Sequence, residues 1–223
     1  MRYDAVVVAG GRGSRLGGEA KPLLVHAGRT LLGHALAAVS GAVRIAVVGP
    51  TGLARAVADH GAEADPGQLL LLTREEPAFG GPAAAVAAGL HALRDAALAD
   101  ARAGSEPEVP PLTVVLAADL LDPAPAVRGV LAAAEAGYDA GSAWVPLDAA
   151  GRLQPLSCAV ATAALREAVA AGEAAPGGLA DSSMMRLLAR VQIVRLSLDG
   201  VSFDDVDTWD DAGRAGISRP SRE

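Results

Sequence analysis

The chain has 223 residues, 51% of them hydrophobic, with a net charge of −7 and six aromatic residues. It holds no basic block of five or more, and its aromatics are too few to stack a nucleic-acid strand. Nucleic-acid and anionic-membrane binding are therefore excluded as functions. Cys158 is the only cysteine, which rules out an internal disulfide, a thiolate zinc site and an iron–sulfur cluster. The N-terminal apolar stretch is five residues long before glycine, too short for a signal-peptide core or a membrane span. The composition reads as a soluble, cytoplasmic protein.

Residues 5–9 form a short, continuous apolar run that meets glycine at once, the pattern of a buried strand. Thr30 can cap a helix whose apolar positions are Leu31, Leu32, Ala35, Leu36 and Val39. A second buried strand covers 43–49, and a short helix over 53–60 is expected to end at Gly61. "LLLLT", 69–73, is a third strand. Pro82 opens an alanine-rich helix of roughly four turns, since proline suits the first helical position. "LTVVLAA", 112–118, is a fourth strand. Further on, 139–145 and 156–160 read as strands and 161–171 as a helix. The stretches 101–111 and 172–183, rich in Gly, Pro and charge, read as loops. No repeat or linker divides the chain. The expectation is one domain over 1–223, an α/β sandwich with a mostly parallel sheet and helices on both faces.

The chemistry concentrates in "VVVAGGRGSRLGGEAKPLL", 6–24. A dinucleotide-binding turn needs G-x-G-x-x-G, but counting from Gly11 and Gly13 puts Leu16 at the third glycine. A Walker loop needs lysine directly after its last glycine; Gly13 and Gly18 have the spacing, and Glu19 follows. What stands there is A-G-G-x-x-x-R-x-G-x-x-x-K-P-L, over 9–23. Gly10 and Gly11 let the backbone approach a ligand, with N–H groups free to face phosphate oxygens. Arg12, Arg15 and Lys21 add positive charge. The chain has 18 arginines and one lysine, Lys21. Keeping a single lysine suits a site that needs a compact point charge, such as a phosphate clamp; the alternative is a chance survivor on a surface loop.

This loop resembles the signature of the molybdenum cofactor guanylyltransferases, the MobA-like family of NTP transferases. Three further stretches fall in family order. "GGPAAAVAAGL" (80–90) is similar to the G-P-L-A-G stretch, "VLAADLL" (115–121) to C-D-x-P, and "FDDVDTWDD" (203–211) to F-x-N-x-N-T-P-E-D. "QPLSCAV" (154–160) also resembles a substrate-side strand of the family. The departures are Ala118 for cysteine, Leu121 for proline, and Asp205 and Asp207 for the two asparagines.

The resemblance implies a Rossmann-like three-layer sandwich of the nucleotide-diphospho-sugar transferase type. The nucleotide would lie at the C-terminal ends of the strands, with about 1–137 holding it and about 138–223 holding the acceptor. It implies transfer of GMP from GTP to a phosphorylated acceptor, molybdopterin, with release of pyrophosphate. Arg15 and Lys21 would be catalytic. Ala9, Gly10, Gly11, Arg12, Gly13, Lys21, Gly81 and Pro82 would bind the nucleotide. Asp119 and Asp207, with Asp205 beside them, would hold Mg²⁺. Each has a plainer rival: Asp119 as a helix cap, Asp205 and Asp207 as turn residues, Arg12 as a solvated charge. Thr208 with Asp211 reads as a capping box. His26, His34, His60 and His91 show no ligand spacing, and Cys158 reads as a small core residue. No nucleophile elbow is visible. Cytidylyl transfer to molybdopterin, nucleotidyl transfer to a sugar or alditol phosphate, and a nucleotide-binding regulator without catalysis are the alternatives.

Overall fold

A computed structural model describes residues 1–11, 19–63, 65, 67–102, 109–206 and 208–217. The chain begins with β1 (Tyr3–Val8), then a small antiparallel hairpin of β2 (Val25–His26) and β3 (Arg29–Thr30). Next come α1 (Leu31–Ala38), β4 (Arg44–Val48), α2 (Ala54–Glu63), β5 (Leu69–Thr73) and α3 (Pro82–Arg102). β6 (Leu112–Ala117), α4 (Ala124–Ala136), β7 (Ser142–Leu147), β8 (Ser157–Ala161) and α5 (Thr162–Glu173) follow. The chain closes with α6 (Met184–Leu187), β9 (Gln192–Ser197) and α7 (Trp209–Arg214).

Seven strands form one sheet in the order β5-β4-β1-β6-β8-β7-β9. Every neighbouring pair is parallel except those made by β8, which runs antiparallel to both β6 and β7. The period-2 geometry of β1 sorts its side chains between two layers. Ala5 and Val7 pack with Leu32, Leu36 and Val57 from α1 and α2 and with Val127 and Val130 from α4. Val6 faces Ala85 and Leu93 of α3, while Val160 on the same side meets Leu165 and Val169 of α5. The result is the α/β/α sandwich that the alternating elements require. Close packing of α3 depends on Gly89, where a Cβ would stand 2.6 Å from Val6 Cγ1 and 3.0 Å from Val48 Cγ2.

Several boundaries differ from the sequence reading. The helix expected to stop at Gly61 runs on to Glu63, because α2 lies against β5 and a glycine inside a packed helix is tolerated. The alanine-rich helix runs 21 residues, to Arg102, and takes in the first residues of the stretch read as a loop. The strand expected from 139 begins at Ser142, since Asp139 forms a turn in which its Oδ1 accepts the Gly141 N–H. The helix α4 and strand β9 have no counterpart in the sequence reading. The helical caps stand as read: Thr30 Oγ1 accepts the Gly33 N–H, and Thr208 with Asp211 forms a reciprocal capping box. His91 Nε2 lies 2.7 Å from Glu173 Oε1 of α5, a partner 82 positions away. Cys158 is fully buried and donates to Pro155 O; burial pushes its thiol up to about 12. Among the described residues no helix is long and apolar enough to cross a membrane.

Candidate active site

The chain order leaves β1 toward β4 and β5, then returns to place β6 on the other side of β1. That reversal opens a crevice at the carboxyl ends of β1 and β6, where open α/β sheets bind ligands. Ala9, just past β1, is buried and donates its N–H to Val48 O at 2.8 Å. Gly10 and Gly11 then turn the chain away. Gly11 sits at φ +144°, a conformation an L side chain resists, and a Cβ on Gly10 would come 3.7 Å from Glu75 Oε1.

Lys21 opens a single 3-10 turn over Lys21–Leu23, anchored by buried Pro22. Its Nζ donates to Asp119 Oδ2 at 2.8 Å, with the side chains 18% and 29% exposed. Asp119 stands two residues past β6, whose continuation is held when Ala118 donates its N–H to Val8 O. The lysine and the aspartate singled out separately therefore meet across 98 positions, each neutralising the other.

The closing segment returns to the same place. Leu120 and Asp205 form an antiparallel bridge, and Leu121 donates its N–H to Asp204 O at 3.1 Å. Leu121 stands where the family pattern has proline, which could not make that bond. It also packs with Leu24, Leu31 and buried Val206. His26 Nδ1 lies 2.9 Å from Ala215 O and ties the C-terminal helix to the hairpin. Asp205 is thereby set beside the Asp119 stretch. Arg12, Gly13, Arg15 and Asp207 lie outside the described residues.

Gly81 and Pro82 line a cavity of about 320 Å³ together with Val8, Gly10 and Gly11. Gly81 holds φ +89°, and a Cβ there would press on Ser182 O at 3.3 Å. The same neighbour closes the turn, as Ala83 donates its N–H to Ser182 O and Asp181 donates its own to Gly80 O. Glu75, which the sequence reading does not single out, also lines this cavity. It follows β5, is 6% exposed, and its Oε1 accepts the Phe79 N–H at 3.1 Å. In the sequence it is one of two adjacent glutamates; only the fold distinguishes buried Glu75 from exposed Glu76. Among the described residues no three His, Cys, Asp or Glu side chains gather as a metal cluster. Asp119 offers a hard carboxylate oxygen, a donor suited to a magnesium ion that takes most of its ligands from phosphates and water.

A glycine turn, a lysine–aspartate pair and an adjoining cavity at the switch point of a mostly parallel sheet are features of a protein that handles nucleoside phosphates. Residues 5–194 match the MobA-like NTP transferase domain, and the chain belongs to that family of nucleotidyltransferases. A 39-residue stretch is 62% identical to the molybdenum cofactor guanylyltransferase of Acidiphilium cryptum (strain JF-5), covering 18% of this chain and 20% of that protein. The match thus spans about a fifth of that relative's length. The structure is similar to that of Rv0371c from Mycobacterium tuberculosis H37Rv, at 25% identity and a TM-score of 0.61, over 96% of this chain and 97% of that one. It shares its fold with the 2-C-methyl-D-erythritol 4-phosphate cytidylyltransferase from Thermus thermophilus, at 23% identity and a TM-score of 0.57, over 96% and 97% of the two chains. The inositol-1-phosphate CTP transferase from T. maritima has the same fold at 13% identity and a TM-score of 0.64, over 94% and 91%.

Proposed function

We propose that the chain transfers GMP from GTP to a phosphorylated acceptor, molybdopterin, and releases pyrophosphate. The observation that carries the guanine assignment is Glu75, a buried carboxylate facing the cavity beside Gly81 and Pro82. A carboxylate only accepts hydrogen bonds. Guanine offers it two adjacent donors, N1–H and the N2 amino group, whereas cytosine offers only its N4 amino group. A site built around such an acceptor discriminates through the partner left unpaired. The acceptor assignment rests on the 39-residue stretch that is 62% identical to the Acidiphilium cryptum enzyme.

In the reaction an acceptor phosphate oxygen attacks the α-phosphorus of GTP. One P–O bond forms, the α–β bridge breaks, and pyrophosphate leaves. All reacting groups are anionic, so positioning and charge neutralisation supply the catalysis. The backbone at Ala9, Gly10 and Gly11, with Arg12 and Gly13, cradles the triphosphate. Lys21 leaves Asp119 to meet the phosphates, and Arg15 adds a second charge for the departing pyrophosphate. Asp119 and Asp207, with Asp205 adjacent, would hold Mg²⁺, which when bound offsets charge on the phosphate oxygens. Gly81 and Pro82 border the base and ribose. About 1–137 would form the nucleotide-holding half and about 138–223 the acceptor half of one domain.

A nucleotide panel tests this reading. At about 100 times its dissociation constant a ligand stabilises the fold by ~2.7 kcal/mol, which raises the melting temperature of a domain this size by roughly 5–10 °C. GTP with Mg²⁺ is expected to give that rise, and CTP, ATP and UTP a smaller one. An equal response to all four, or none, overturns the guanylyl assignment.

A further inference from the structure

We propose that Phe79 is the stacking platform for the nucleobase, a role that rests on the cavity beside Gly81 being the base pocket. Phe79 is 46% exposed in a chain with only six aromatic residues. Its backbone holds φ +63°, the left-handed region that a bulky side chain enters only against a steric penalty. The next two residues are glycines, which would meet no such penalty, yet the ring is kept. Non-glycine residues held in this way gather where a ligand is handled.

The surroundings say what the ring does there. Phe79 lines the cavity with Glu75 and Gly81. The Arg74 guanidinium stands 5.8 Å from the ring centroid and is not part of the cavity lining. It stands over a face of the ring, as a cation does over an aromatic group. The strained backbone also aims the Phe79 N–H at Glu75 Oε1, 3.1 Å away, which holds ring and carboxylate as one unit. A planar heterocycle offers two kinds of contact, a π face and a hydrogen-bonding edge. Phe79 meets the face and Glu75 the edge. One ring is too little for a nucleic-acid strand and sufficient for one mononucleotide.

The test compares wild type with Phe79→Gly and Phe79→Tyr by calorimetric titration of GTP, CTP and base-less ribose 5-triphosphate, each with Mg²⁺. Glycine adopts the local φ freely, so the Phe79→Gly variant folds. Loss of a base–aromatic stack weakens binding by roughly 5- to 150-fold. Phe79→Gly is expected to lower affinity for GTP by a factor in that range and to leave ribose 5-triphosphate unchanged. Phe79→Tyr, which keeps the ring, is expected to bind GTP as wild type does. If wild type prefers CTP and Phe79→Gly weakens CTP instead, the guanine reading fails while the platform stands. If Phe79→Gly leaves the preferred nucleotide unaffected, or weakens the base-less triphosphate equally, the platform is overturned.

Discussion

Replacing Lys21 with alanine separates what its ion pair does for the fold from what it does for catalysis. The Lys21–Asp119 contact is short, 2.8 Å, but its side chains remain 18% and 29% exposed. Partial solvation keeps such a pair near the upper end of surface ion pairs, about 1 kcal/mol. For a domain of this length that corresponds to a melting temperature lower by roughly 2–4 °C. The catalytic loss is expected to be larger. Removing one group that meets charge developing in a transition state costs ~2.7–4 kcal/mol, or roughly 10²–10³ in kcat. Lys21→Arg restores the charge but substitutes a planar fork for a point charge. It is expected to recover stability and to remain below wild type in turnover. The assay is pyrophosphate release at saturating GTP, molybdopterin and Mg²⁺, paired with thermal unfolding followed by circular dichroism. Wild-type kcat in Lys21→Ala refutes the clamp; so does a loss of activity no greater than the unfolded fraction explains. Wild-type turnover in Lys21→Arg would show that the solitary lysine carries no specific role.

The remaining expectations concern base choice, packing and the thiol. Glu75→Gln keeps an oxygen for the Phe79 N–H but presents a mixed donor and acceptor to the base. Titration is expected to show GTP binding weakened about 10-fold or more, with discrimination over ATP narrowed; unchanged discrimination would remove Glu75 from base recognition. Gly89→Ala drives a methyl to within 2.6 Å of Val6 Cγ1, and overpacking of this kind costs ~1–3 kcal/mol, seen as a lower urea midpoint. A midpoint equal to wild type would mean α3 can withdraw from the sheet at no cost. Cys158, its thiol pushed up to about 12 by burial, is expected to resist a thiol reagent at pH 8 in the native chain and to react once unfolded. Because the unfolded thiol ionises first, this residue's contribution to stability is intact below its ordinary pKa near 9.0 and is lost as pH rises toward 12. Rapid native-state labelling would contradict the burial.

The parts of the fold legible in the sequence are those whose burial leaves a one-dimensional trace. Strands β1, β4, β5 and β6 lie in the parallel part of the sheet and read as short, largely apolar runs; the charged residues of β1 and β4, Asp4 and Arg44, are buried as a pair at 3.0 Å. Thr30 and Thr208 announce their helices because a cap is a local interaction. The helix α4 is hidden by its start, where Pro123 and Pro125 look like loop punctuation although the first turn of a helix accepts proline. Strand β9 is an edge strand of mixed exposure, and its "QIVRLS" carries an interrupted alternation. The site divides in the same way. Gly10, Gly11 and Lys21 sit within one short stretch and carry a recognisable spacing. Asp119 is reachable through family resemblance and its place just past a buried strand, but its pairing with Lys21 is not, since the two lie 98 positions apart. Glu75 and Phe79 have no distinguishing local signal: their roles come from a turn that buries one carboxylate and holds one ring in the left-handed region.

The most direct test of the central claim follows the α-phosphate itself. The chain is incubated with molybdopterin, Mg²⁺ and equal concentrations of GTP and CTP, each labelled at the α-phosphorus, and the products are separated and weighed by mass spectrometry. The account predicts a product carrying the mass of molybdopterin plus one GMP unit, with one pyrophosphate released per transfer. Labelled CMP on the acceptor in preference to GMP, or consumption of neither nucleotide, would contradict it.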